Sequence, residues 1–110
     1  MVVQTLFLLL AGHALADYPL QGDFIARGKN FRSPIAGIDW WVVMLAHSLI
    51  HGGAVVVVTG NVWMGVVETV LHFLIDHAKC RNYFGFKTDQ ALHVVCKIGY
   101  FAVLCAAGGQ

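Results

Sequence analysis

Four stretches of this chain are nearly free of charge and long enough to constrain everything else: roughly residues 2–16, 40–59, 62–78 and 91–107. A helix needs about 17–25 mainly apolar residues to cross a bilayer. The second, third and fourth stretches meet that length. The first reaches it when residues 17–20 are added, with Pro19 disturbing its end. Composition argues against a water-soluble alternative. The 110 residues are 58% hydrophobic and 12% charged, with a mean hydropathy of +0.70, whereas soluble domains carry about 25% charged residues. So short a chain has too much surface for its volume to hide that apolar area from water. The bilayer is its natural solvent and its first expected partner. The expected fold is all-α: a four-helix transmembrane bundle forming one integral-membrane domain over residues 1–110, with helices at about 2–18, 40–59, 62–78 and 91–107.

The links between the stretches predict an orientation. Residues 17–39 form a long polar link with Arg27, Lys29, Arg32 and a Ser33-Pro34 turn. Gly60-Asn61 is a short uncharged turn. Residues 79–90 form a loop with Lys79, Arg81 and Lys87. Six of the seven basic residues therefore sit in two links that lie on the same side of a four-helix hairpin. The positive-inside rule places those links in the cytoplasm and both termini on the non-cytoplasmic side. Trp40 and Trp41 suit a headgroup-level belt at the start of the second helix. The expected location is the bacterial inner membrane, with several passes. The net charge of +1 offers no field for nucleic acid. Cys80, Cys96 and Cys105 have neither the even number of a disulfide framework nor CxxC spacing, and read as small apolar filler.

Ionisable side chains inside spanning helices are costly and point to function by default. Here they recur at one spacing. His13 and Asp17 are four apart, with Gln21 four further on. His47 and His51 are four apart, as are Glu68, His72 and Asp76, and again Asp89, His93 and Lys97. Residues four apart share a helix face, so each helix presents one polar stripe. At about 1.5 Å per residue, the four stripes overlap in the cytoplasmic half of the bilayer.

Histidine and carboxylate together are ligands for zinc, iron or manganese, and bundle cores that hold metals draw them from several helices. The candidate ligands of a divalent ion are His13, Asp17, His47, His51, His72, Asp76 and His93. Their number leaves some for supporting contacts, a second ion or proton transfer. Each also has a plainer reading. A lone histidine on an apolar helix is more often a hydrogen bond between helices, and Asp17 and Asp76 lie at membrane boundaries where carboxylates cost little. Glu68 is a candidate general base. It stands at the depth of Lys97, so the two also read as a structural ion pair. His77 falls off the stripe. Gly52-Gly53 reads as close helix packing.

The segments "GHALADYPLQGDFIARGKN", "LAHSLIH" and "ETVLHFLIDHAKCRNYFGFKTDQALHVV" resemble the small bacterial and phage membrane proteins of the family known as domain of unknown function 3307. That family resembles this chain in an "AHLLADFLLQ…K" block, a "LLHALLH" second helix, a "HFLID..K" third helix and a "DQ.LH" start to the fourth. The resemblance runs in order over nearly the whole chain. Gly12 replaces the commoner Ala, and Pro19 is a less usual residue there. The resemblance marks His13, Asp17, Gln21, Lys29, His47, His51, His72, Asp76, Lys79, Asp89, Gln90 and His93 as site positions. Its HxxxD elements are also similar to those of membrane-bound metal-dependent hydrolases.

These readings lead to an expected function: an intramembrane His/Asp site, in a metal-dependent hydrolase acting near the cytoplasmic face. Lys29 and Lys79 at the rim suit an anionic headgroup or phosphate. Two rival classes remain. One is a non-enzymatic structural or interaction protein, or a phage-borne protein that modifies the host envelope; a homo-oligomer is a further expected partner of the chain. The other is a proton or ion translocator, which the bare outer half of the helices disfavours. The stretch Ala14-Leu15-Ala16 has the form of a leader cleavage site, but no Lys or Arg precedes Arg27. Residues 12–24 are therefore expected to close the first helix.

Overall fold

The computed structural model describes residues 2–33 and 35–108. Among them there are five α-helices and no strand: α1 (Val2–Asp17), α2 (Gly22–Gly28), α3 (Trp40–Thr59), α4 (Val62–Cys80) and α5 (Phe86–Ala106). The chain is all-helical, as expected. The Ser33-Pro34 turn falls partly outside the described residues, as do the extreme termini.

The four long helices close on one another. α1 packs on α3 and α5, α3 on α4, and α4 on α5. The α3–α4 corner is built by local chemistry. Gly60 takes the left-handed conformation (φ 69°) that ends α3, and its N–H donates to the Val56 carbonyl at 2.7 Å. Asn61 then caps α4, its Oδ1 accepting from the Met64 N–H at 3.1 Å. Further along the pair, Gly52 meets Gly65 so closely that a Cβ on either would strike the other's carbonyl oxygen. Small residues let the two backbones approach this far. Gly53, its neighbour, has open space around it.

α2 is absent from the sequence expectation, which treats residues 17–39 as a polar link. It has seven residues and only Phe24 and Ile25 as large apolar side chains, too few to show a period. Its function is placement. Buried Gly28 packs on Val43 of α3, and this carries the next residue, Lys29, into the interior, where it is 3% exposed. The rim position expected for Lys29 is thus corrected. α5 also starts earlier than expected, at Phe86 instead of about 91, because Gly85 and not the last polar residue ends the loop. Its first turn therefore brings Asp89 inward.

The interior is polar and the exterior apolar. Among the described residues, twelve buried side chains are polar or charged and eight are hydrophobic. Phe7, Leu15, Leu49, Val57, Trp63, Val70, Leu74, Val95 and Val103 are all more than half exposed. In water this would be an inverted protein. Two helices, α3 and α5, are long and apolar enough to cross a membrane, with mean hydropathies of 1.9 and 1.2. α1 falls short at 16 residues, and α4 carries Glu68, Asp76 and Lys79.

Candidate metal centre

Each long helix turns one stripe inward, at steps of three or four residues. α1 buries Leu9, His13 and Asp17. α3 buries Met44, His47, Ser48, His51 and Val55. α4 buries Met64, Glu68, His72 and Asp76, and α5 buries Asp89, His93, Lys97 and Tyr100. The stripes meet in one cluster at the end of the molecule where α1 and α4 finish and α3 and α5 begin. The opposite end is closed by an apolar group of Leu9, Val55, Met64 and Tyr100, with Val58, Cys96, Phe101 and Leu104 packed against it.

Asp17 is the hub. Its Oδ1 lies 3.1 Å from His51 Nε2, 3.2 Å from His47 Nε2 and 3.9 Å from His72 Nε2. Ligand atoms of Asp17, His47, His51 and His72 all lie within 4.8 Å of one another, and all four residues are buried. Two ligands on a tetrahedral ion with bonds of about 2.0–2.2 Å are about 3.4 Å apart, a value inside the observed 3.1–3.9 Å range. The rings crowd as well: His51 and His72 stack with centroids 3.7 Å apart, and His47 stands edge-on 4.9 Å from His72. Both ring nitrogens of His47 and of His72 lack a hydrogen-bond partner among the described residues. Buried donors and acceptors normally find partners. Short approach without hydrogen-bond alignment suits nitrogens that converge on a common ion.

The other predicted residues surround this set. The second Asp17 oxygen accepts from Gln90 Nε2 at 2.8 Å. Gln90 Oε1 faces His13 Nε2 at 3.0 Å, and Gln90 Nε2 also reaches Asp89 Oδ2 at 3.0 Å. One amide thus ties α5 to α1. Asp76 Oδ2 is 3.5 Å from His47 Nε2, 3.7 Å from His72 Nε2 and 2.5 Å from Lys29 Nζ. Lys79 Nζ approaches its other oxygen at 3.7 Å. Gln21 lies outside the cluster, donating to the Asp17 carbonyl at 3.1 Å.

A second group, Glu68, His72 and His93, also has ligand atoms within 4.8 Å of one another. It already holds a cation, since Lys97 Nζ sits 2.9 Å from Glu68 Oε2. Tyr100 donates its hydroxyl hydrogen to Glu68 Oε1 at 2.8 Å. His93 stacks on His72 at 4.2 Å, and its Nε2 faces Asp89 Oδ1 at 3.3 Å. Tyr100 was not among the residues expected from sequence, although it continues the Asp89-His93-Lys97 stripe by one helical step. Ser48, buried beside His47, was also missed; a serine in an apolar helix carries no signal of its own. His77 lies away from the cluster, stacked on Trp40 with ring centroids 4.7 Å apart.

Charge gives an independent measure. Asp17, Glu68, Asp76 and Asp89 are buried against two buried lysines, Lys29 and Lys97. With neutral imidazoles these buried groups carry more negative than positive charge, and Lys79, partly exposed 3.7 Å from Asp76, offsets part of the difference; the negative charge that remains favours a bound cation. Uncompensated charge in a low-dielectric interior is expensive.

Fold and site together define a class: a small all-helical protein whose interior is a buried histidine–carboxylate cluster able to hold a metal ion. The profile of the family described as protein of unknown function (DUF3307) matches residues 5–107, and the chain belongs to that family. Neither the curated proteins nor the solved structures contain a match to the chain.

Proposed function

We propose that this is a multi-pass protein of the bacterial inner membrane. α1, α3, α4 and α5 form a four-helix transmembrane bundle around one divalent metal ion, and the centre serves a hydrolase working at the cytoplasmic end. The carrying observation is the convergence of Asp17, His47, His51 and His72 within 4.8 Å, from three helices. The apolar exterior supports the membrane reading, because lipid tails cover such a surface without cost and leave polar groups to pair inside. The long dimension of 48 Å exceeds the roughly 30 Å hydrocarbon core and leaves room for the headgroup layer.

Zinc, iron or manganese bound there would supply a water of lowered pKa and a Lewis acid. The chain's own groups have separate tasks. Glu68, held by Lys97 and Tyr100, places its carboxylate 3.3 Å from His72 Nδ1, where carboxylates behind metal-bound histidines stand. That assigns Glu68 to positioning and leaves Asp76 as the better proton acceptor. Asp76 lies beside two of the ligand rings, and Lys29 holds its carboxylate in place. His13 and Gln90 orient Asp17 from the other side.

The apolar group at the far end disfavours proton or ion translocation, which needs polar groups through the full thickness. The test is elemental analysis of protein purified in non-ionic detergent, wild type against His47→Ala/His72→Ala. About one transition-metal ion per wild-type chain and none in the variant is expected. Wild-type protein without a transition metal would sink the proposal.

A further inference from the structure

One cavity adjoins the cluster at Lys29. This cavity, of about 460 Å³, lies where α2, the end of α4 and the start of α5 meet, and Lys29 belongs to both its wall and the cluster. Its size is within the usual range for small-molecule sites, roughly 300–1,000 Å³. Its lining has one sign. Lys29, Arg32 and Lys79 line it, and no Asp or Glu does among the described residues. Gln21, Asn30 and Asn82 add neutral polar groups to the same wall. Asp76 behind the wall neutralises only part of this charge, because Lys29 at 2.5 Å and Lys79 at 3.7 Å share that one carboxylate. Arg32 has no carboxylate partner among the described residues. Its guanidinium donates to the Arg81 carbonyl at 3.3 Å, which fixes its position without cancelling its charge.

Two ammonium groups and a guanidinium around a polar cavity suit a compact, multiply charged anion with several acceptor oxygens. Phosphate is that group, and charge-assisted bonds from Arg and Lys are its usual recognition. The cavity is also placed for the proposed chemistry, since Lys29 in its wall pairs with Asp76, which lies 3.5 Å from His47 Nε2 and 3.7 Å from His72 Nε2.

We infer that this cavity binds a phosphate-bearing anion, held by Arg32 and Lys79 with Lys29 at its base, and that such anions are the substrate class of the proposed metal centre. The link to a reaction rests on the metal reading; binding in the cavity does not. The phosphate comes either from a lipid headgroup or from a soluble compound, and the chemistry of the wall is the same for both.

The test is titration calorimetry of the full chain in non-ionic detergent, with metal content measured on the same samples. Inorganic phosphate represents the soluble source. Dihexanoyl phosphatidic acid represents the lipid source, and dihexanoyl phosphatidylcholine is the zwitterionic control. Phosphate and phosphatidic acid are expected to bind and to compete, and phosphatidylcholine to bind at least tenfold more weakly. Equal affinity for the first two supports a soluble ligand; markedly tighter phosphatidic acid supports a lipid one. Arg32→Ala/Lys79→Ala should weaken both by roughly tenfold or more, the scale of losing charged hydrogen bonds, with metal content unchanged. Arg32→Lys/Lys79→Arg, which keeps the charge, should retain most of the binding. Lys79 is partly exposed and Arg32 exposed, so neither change threatens the fold. Wild-type protein that binds neither anion, or a double-alanine variant that binds like wild type, overturns the inference whatever the metal content. Anion binding by a metal-free wild type would instead leave the cavity standing and remove the metal reading.

Discussion

Glu68 Oε2 lies 3.3 Å from His72 Nδ1 and 2.9 Å from Lys97 Nζ, so one buried carboxylate faces both an imidazole of the cluster and the cation of another helix. This double engagement separates two effects that a single substitution would confuse. Glu68→Gln should lower metal affinity by roughly 10–100-fold by loosening His72. It should also lower stability by about 3–5 kcal/mol, because Lys97 is left charged and unpaired in the interior. Glu68→Gln/Lys97→Met removes that second penalty. Thermal melting in detergent should show the double variant more stable than Glu68→Gln, while metal analysis shows both equally weak. Equal melting temperatures for the two variants would mean that Lys97 has another partner.

Much of this site was legible because helix geometry turns a spacing of four into a shared face. His13 to Asp17, His47 to His51, Glu68 to Asp76 and Asp89 to Lys97 could be placed on inward stripes from their numbers alone. What the numbers could not show is which atoms meet. Seven candidate ligands divide into four that converge, Asp17, His47, His51 and His72, and three that surround them, His13, Asp76 and His93. That division depends on helix rotation and rotamers, which periodicity does not encode. Lys29 was marked by the resemblance, but its burial was hidden for a different reason. Its inward path depends on α2, a helix too short to leave a periodic trace, docking through Gly28 on Val43. Tyr100 carries no ionisable signal of the kind that marked the stripes, and its part in the site comes from its hydroxyl reaching Glu68.

The number of ions follows from Lys97. The Glu68, His72 and His93 group has metal-ligand spacing, but an ammonium group already supplies its positive charge. Metal analysis should therefore give about one ion per chain and not two. Chelation should lower the melting temperature by roughly 10 °C or more, since an ion bound only by the folded chain stabilises it by mass action. Restoring zinc, iron or manganese should recover it. Two tightly held ions per chain would show that Lys97 is displaced.

The orientation can be tested on one helix. Lys87 is exposed in the first turn of α5, and Cys105 is exposed near its other end. With about 1.5 Å of rise per residue, the two are separated by close to a bilayer's thickness. In spheroplasts, a membrane-impermeant maleimide should label a single-cysteine chain carrying Cys105. It should label Lys87→Cys in an otherwise cysteine-free chain only after permeabilisation. Labelling of both from the same side would rule out α5 as a span in this orientation.

The closest backbone approach makes the sharpest packing prediction. A Cβ at Gly52 would come within 2.0 Å of Thr69 Oγ1 and 2.6 Å of the Gly65 carbonyl oxygen. Thr69 could turn away, but the carbonyl belongs to α4 and moves only with the helix. Gly52→Ala should therefore push α3 from α4 and cost about 1–3 kcal/mol, the usual scale of overpacking. Gly53→Ala, one residue on and with open space around it, should be neutral or gain up to about 1 kcal/mol from helix propensity. Gly52 directly follows His51, whose ring stacks on His72 at 3.7 Å across the same helix pair. Separation of the helices should therefore weaken metal retention as well as stability in Gly52→Ala, and do neither in Gly53→Ala. Melting and metal content measured on both variants check this together. A stable, metal-replete Gly52→Ala protein would mean that the α3–α4 crossing is looser than the Gly52–Gly65 contact implies.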